Sequence, residues 1–319
     1  MSRGFYALLG KILHESRLML AISTLALFWF GWAGVWVTRL TERQFQQMVE
    51  AYADDEEPGS ESGTGEDGSA GSESGGDDRK AADTRESLER RGFQARSRFL
   101  RAMAGQGATI NSAVIEMQFW IHPFVWLPII VWSISRGSQA VAGEVERGTM
   151  DLVLSRPLTR WSYWMANVVA GVIGVLAIPA SLLAGHFAGA RFNSLAEPPS
   201  FGLLLRPALS QAGLGLAIFG VAIVLSGIDR VRWRPIMIAT GYVIASFAAW
   251  VIGLLPVLED TGWRPFLQNS SLFTAYNPVE AVSNHEDWAR HAAILWCLGA
   301  VASIFGFAGF ARRDLPTNS

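Results

Sequence analysis

The residues able to do chemistry are few, and their spacing suits none of the usual constellations. The histidines are His14, His122, His186, His285 and His291, and the single cysteine is Cys297. No histidine pair has the spacing of a zinc-protease helix, and one thiol cannot build a thiolate site. His285 and His291 with Glu286 and Asp287 could hold a metal loosely, but solvated surface side chains are the better reading. The serine of Val224-Leu225-Ser226-Gly227 lacks the leading glycine of an intramembrane-protease nucleophile, and no histidine is placed to serve as its base. No Gly-x-x-x-x-Gly-Lys-Ser/Thr loop occurs, so the chain does not cradle ATP in that manner. No catalytic residue, metal or cofactor is expected in this chain.

What would position any functional group is a set of long apolar runs. Residues 18–38, 116–135, 161–190, 207–228, 235–258 and 291–311 are almost free of charge. Each meets the roughly 20 residues needed to cross about 30 Å of hydrocarbon as a helix. The reading is an all-α membrane protein of six transmembrane helices. Buried helices of a large soluble protein would show the amphipathic breaks these runs lack. Ionisable groups near the hydrocarbon are reduced to Glu116, His122 and His186, which counts against an ion-driven secondary transporter.

Orientation follows from the arginines and lysines of the short loops. With the amino terminus inside, twelve basic residues face the cytoplasm: Arg3, Lys11, Arg17, Arg136, Arg147, Arg156, Arg160, Arg230, Arg232, Arg234, Arg312 and Arg313. Four, Arg191, Arg206, Arg264 and Arg290, face out. Both termini are therefore expected in the cytoplasm.

Before the first span, residues 1–17 carry Phe5, Leu8, Leu9, Ile12 and Leu13 at helical spacing. They suit an amphipathic interfacial helix or the plain start of the span. The long outer loop 39–115 contains an acidic Gly/Ser-rich stretch, 54–80, that cannot bury enough apolar surface to fold. A basic helix is expected over 84–103. Residues 191–206 and 259–290 are the other outer connections, and 229–234 and 312–319 are a cytoplasmic turn and tail. Trp32, Trp36, Trp161, Trp164, Trp233, Trp263 and Trp288 fall near span ends, as an interfacial belt. Small residues recur at four-residue spacing, as Ala166, Ala170 and Gly174, then Gly213 and Ala217, then Gly299 and Ser303, and allow close helix packing.

The segment that decides function is the cytoplasmic connection 136–160, and above all Gly143–Arg160, GEVERGTMDLVLSRPLTR. A short amphipathic helix there presents Leu152 with charged side chains nearby, and Pro157 ends it. A partner's groove could receive such a helix as a rigid lever.

With the following WSYWMAN, this segment resembles the signature region of ABC-2 type exporter permeases: Glu, Gly-Thr, a leucine-rich turn, then Ser-x-Pro and a basic residue. It is most similar to the branch associated with multicopper-enzyme maturation. The six-span layout, the amphipathic start and the large first outer loop fit the same resemblance. It departs where that family commonly has a lysine and this chain has Asn167. The resemblance implies a permease that exports its substrate across the bacterial plasma membrane beside a second copy or homologue. A separate P-loop ABC ATPase would hold the ATP and magnesium. It implies a coupling contact formed or shaped by Glu144, Glu146, Arg147, Gly148, Thr149, Leu152, Pro157 and Arg160. The lipid membrane is the remaining expected partner; nucleic acid is not one. A membrane anchor or scaffold without transport is the other class the residues allow.

Overall fold

A backbone inside hydrocarbon must bond to itself, and runs without Asp, Glu, Lys or Arg can do so only as helices or closed barrels. This chain takes helices. The computed structural model describes residues 3–54, 120–155, 158–193, 195, 200–283 and 287–313, and no strand occurs among them. The acidic stretch 54–80, the expected basic helix 84–103, Glu116 and Pro157 lie outside the described residues, save the helical Asp54.

The first helix, α1, runs Arg3–Asp54. Residues Met1–Trp36 and Ala113–Ser319 form one unit, and Val37–Ser112 a second, of which the end of α1 is described. Next come α2 (Pro123–Ser138), a π-helical turn (Gln139–Gly143), α3 (Glu144–Glu146) and α4 (Met150–Leu154). Then follow α5 (Arg160–Phe192), α6 (Phe201–Ile228) and α7 (Trp233–Gly253). After a 3-10 turn (Pro256–Leu258) come three short helices, α8 (Trp263–Ser270), α9 (Leu272–Ala275) and α10 (Pro278–Ser283). The last is α11 (Trp288–Arg312).

Five helices, α1, α5, α6, α7 and α11, are long and apolar enough to cross a membrane, so the protein is multi-pass. The remaining rod, α2, is only 16 residues long, but the chain stays helical through the π turn to Glu146. The neighbours of α2, α5, α6 and α11 give their relative directions. Val125 and Gly137 of α2 meet Gln211 and Ala222 of α6, so these two run parallel. Trp132 and Ala140 meet Gly174 and Tyr163, so α2 and α5 are antiparallel. Gly213, Gly220 and Gly227 of α6 lie along Trp296, Gly299 and Gly306 of α11, again parallel. Alternation of direction along the chain is what six successive crossings require.

The core is built around α6, whose most apolar stretch is 78% buried, against 22% for α7 and 28% for α1 and α11. Close approach is made by small residues, which lipid cannot drive together but packing can. Gly171 receives the Phe219 ring, Gly174 the Trp132 indole, and Gly299 the Leu216 backbone.

Residues 3–17 continue directly into the first span: α1 is unbroken at Arg17, and Phe5, Leu8 and Ile12 are buried in the core. Two expectations need correction. Arg136, expected to open the polar connection, is buried within α2. Trp164 is not interfacial either. It is 1% exposed, donates from Nε1 to the Ser303 carbonyl at 3.1 Å, and stacks on Phe310.

Candidate functional site

The ends of α2, α6 and α11 and the starts of α1, α5 and α7 meet at one end of the bundle, together with Gly143–Arg160. Arginines hold this end together by capping helix carboxyl ends, where unpaired carbonyls carry partial negative charge. Arg160 Nη1 donates to the Ala311 and Arg313 carbonyls, each at 2.9 Å, at the end of α11. Arg313 Nη1 donates to the carbonyls of Gly227 (3.3 Å) and Asp229 (2.8 Å) at the end of α6.

Within the segment, the sequence Glu-Val-Glu-Arg-Gly-Thr folds as a helix stop. Gly148 sits at φ +69°, the left-handed conformation that glycine adopts without a Cβ clash. The Gly148 amide donates to the Val145 carbonyl and the Thr149 amide to the Glu144 carbonyl, both at 3.0 Å, which is the bonding of a Schellman motif. The Thr149 hydroxyl and Arg147 Nη2 both reach back to the Glu144 carboxylate. Burial pushes the Glu144 carboxyl up, but the Thr149 hydrogen bond and the Arg147 charge outweigh it and hold it below the ordinary carboxylate value. Glu144, Arg147, Gly148 and Thr149 are thus one local structure that reverses the chain into α4.

On α4, Met150 is buried and Leu152 is 69% exposed. Glu146 leaves the segment: its Oε2 accepts from the Arg232 amide at 2.9 Å, joining α3 to the start of α7. Arg232 in turn donates to Ser135 Oγ at 3.2 Å. Of the expected site residues, Glu144, Glu146, Arg147, Gly148, Thr149, Leu152 and Arg160 therefore gather at one end, and Arg160 acts there as a cap on α11.

Sequence reasoning missed the groups beneath. The π turn, one residue wider than an α turn, breaks the ladder of α2 and leaves backbone groups to be satisfied. Ser226 of α6 supplies the answer: its Oγ accepts from the amides of Val141 (3.0 Å) and Ala142 (2.9 Å) and donates to the Ser138 carbonyl (2.9 Å). The Tyr163 hydroxyl donates to the Ala140 carbonyl. One turn earlier, the buried Arg136 donates from Nη2 to Asn167 Oδ1, while Asn167 Nδ2 donates to the Tyr163 carbonyl at 3.0 Å. Apart from Asn167 and Tyr163, which are four residues apart, no local pattern announces these pairs, because their members are 23 to 88 residues apart.

Ser226→Ala should therefore strip the π turn of its partners and lower stability by about 1–3 kcal/mol. Thermal melting in detergent would register the loss, and an unaltered melting temperature would contradict this role for the serine.

Among the described residues there is no group of three or more His, Cys, Asp or Glu that could hold a metal. A family model described as ABC-2 family transporter protein matches residues 79–315. The match does not extend to the multicopper-maturation branch. No curated protein matches the chain.

Proposed function

Because this chain belongs to the ABC-2 family of transporter proteins, we propose that it is the permease subunit of an ATP-binding-cassette exporter, driven through Gly143–Arg160 by a separate ATPase chain. The observation that carries this reading is Leu152, an exposed apolar side chain on a short arm held rigid by the Gly148 reversal. Leu152 is the contact; Glu144, Arg147, Gly148 and Thr149 fix its arm, and Glu146 and Arg160 tie the arm to α7 and α11. Force on α4 would pass through Glu146 to the first turn of α7 and through α3 to the π turn. It would change how the spans pack.

In this reading the arginine-rich end and both termini are cytoplasmic, the membrane is the bacterial plasma membrane, and a second copy or homologue completes the path. ATP and magnesium belong to the ATPase.

Charge reversal at Glu146 or Arg147 is a poor test, since both side chains also hold the fold. Leu152→Asp leaves every internal bond in place. It is expected to weaken co-purification with the ATPase at least about tenfold, the cost of one lost apolar anchor, with melting unchanged. Full association of Leu152→Asp would overturn the coupling role and favour a scaffold. Substrate movement that depends on an ion gradient and persists without ATP would overturn the exporter reading.

A further inference from the structure

The turn between α6 and α7 carries more positive charge than the fold uses. Around it stand Arg230, Arg232, Arg234, Arg312 and Arg313, while Asp229 and Glu146 are the acidic groups facing them among the described residues. Both carboxylates are already engaged. Asp229 Oδ1 accepts from the amides of Arg230 (2.7 Å) and Val231 (3.1 Å), and Glu146 accepts from the Arg232 amide. Arg234 only approaches Asp229, at 3.9 Å, with its side chain 58% exposed. Arg230 and Arg312 are exposed. The Arg313 guanidinium is pushed below its ordinary value by burial first and by the like charge of Arg230 second, so Arg230 stands close to it. Among the described residues, five arginines thus face two carboxylates, which leaves this end with a net positive charge.

The surface continuing from them is apolar and exposed. Trp233 is 58% exposed, with the Arg234 guanidinium 5.8 Å from its ring centre. Arg234, Met237, Ile238 and Gly241 share one face of α7 by their spacing of three and four. Met237 and Ile238 are 61% and 54% exposed, and nothing lies within 4 Å of where a Gly241 Cβ would stand. An arginine cluster, an interfacial tryptophan and a bare apolar strip in that order match a headgroup, a glycerol level and an acyl chain.

We propose that Arg230, Arg234 and Arg312 bind the phosphate headgroup of an anionic phospholipid whose acyl chain lies along Met237, Ile238 and Gly241. The charge decides the class of lipid, since a zwitterionic headgroup brings its own cation and leaves the arginines uncompensated. The continuity of the strip decides for a lipid over free phosphate.

The test uses the purified full chain in mixed micelles containing phosphatidylglycerol or phosphatidylcholine, with retained lipid measured by native mass spectrometry. The wild type is expected to retain phosphatidylglycerol in preference to phosphatidylcholine. Each arginine near an anionic surface contributes about fivefold, so R230Q/R234Q should weaken retention about 30-fold. R230K/R234K should keep most of it, and R191Q/R290Q, at the opposite end, should match the wild type. Should R230Q/R234Q lose its thermal transition, R312Q is the substitute, with about a fivefold loss expected. Undiminished retention by the folded variant would overturn the proposal, as would displacement by inorganic phosphate alone. So would a loss of ATPase association with lipid retention intact, which would make the patch a protein contact.

Discussion

Gly185→Leu is expected to prevent α1 from seating on α5 and to remove more than about 3 kcal/mol of stability, beyond the usual range for overpacking. A Cβ at Gly185 would stand 1.9 Å from the Phe28 carbonyl oxygen, 2.7 Å from its carbon and 2.9 Å from its Cα. All three are backbone atoms, so no side-chain rotation relieves the clash and the helices must move apart. The close approaches at Gly31, where a Cβ would lie 2.5 Å from the Leu182 carbonyl oxygen, and at Gly189, where one would lie 3.1 Å from the Val35 Cβ, would be lost as well. The comparison is Gly309→Ala, where nothing lies within 4 Å. That change should be neutral or slightly stabilising, because alanine is the better helix former. Melting in detergent and yield of folded protein separate the two; a Gly185→Leu variant that melts like the wild type would refute the packing described.

Asn167→Leu is expected to cost about 3–5 kcal/mol, because it leaves the Arg136 charge buried without its hydrogen-bond acceptor. Arg136 is 4% exposed, and among the described residues its Nε has no hydrogen-bond partner and Asn167 Oδ1 is its one hydrogen-bonded side-chain oxygen. Arginine cannot shed its proton to escape the penalty. Arg136→Met in the same background removes the charge and fills the space with an apolar chain of similar length. The double variant should therefore recover most of the loss, as buried charges replaced together by apolar groups often do. A double-mutant cycle on melting free energies measures the coupling. Additive losses would mean that the pair does not act as a unit.

Much of the fold was legible because hydrophobic length is a one-dimensional property. Five apolar runs correspond to five membrane-length helices, although α6 starts six residues before the expected 207–228 and α7 ends five residues before the end of 235–258. The span expected at 116–135 was harder. His122 accepts a hydrogen bond from the Phe124 amide and Pro123 opens α2, and the chain runs on as helix to Glu146 through the π turn. The turn expected at 229–234 is shorter in the structure, because α7 already starts at Trp233; Asp229 caps the two amides that follow it. Trp164 misled, because a tryptophan near a helix end looks the same in sequence whether it faces lipid or a neighbouring helix.

At the candidate site the division is similar. Gly148 followed by Thr149 is a local helix stop, and the residues that build it lie within six positions, so the sequence carries it alone. The sequence by itself determined the all-helical membrane class, the family and the place of the Gly143–Arg160 segment, because hydropathy and local turn chemistry act between near neighbours. Only the tertiary structure decided that Ser226 completes the π turn, that Asn167 receives Arg136, and that Arg160 and Arg313 cap other helices. Those partners meet through packing across the bundle, and a buried polar group selects whichever partner the fold brings within hydrogen-bonding distance.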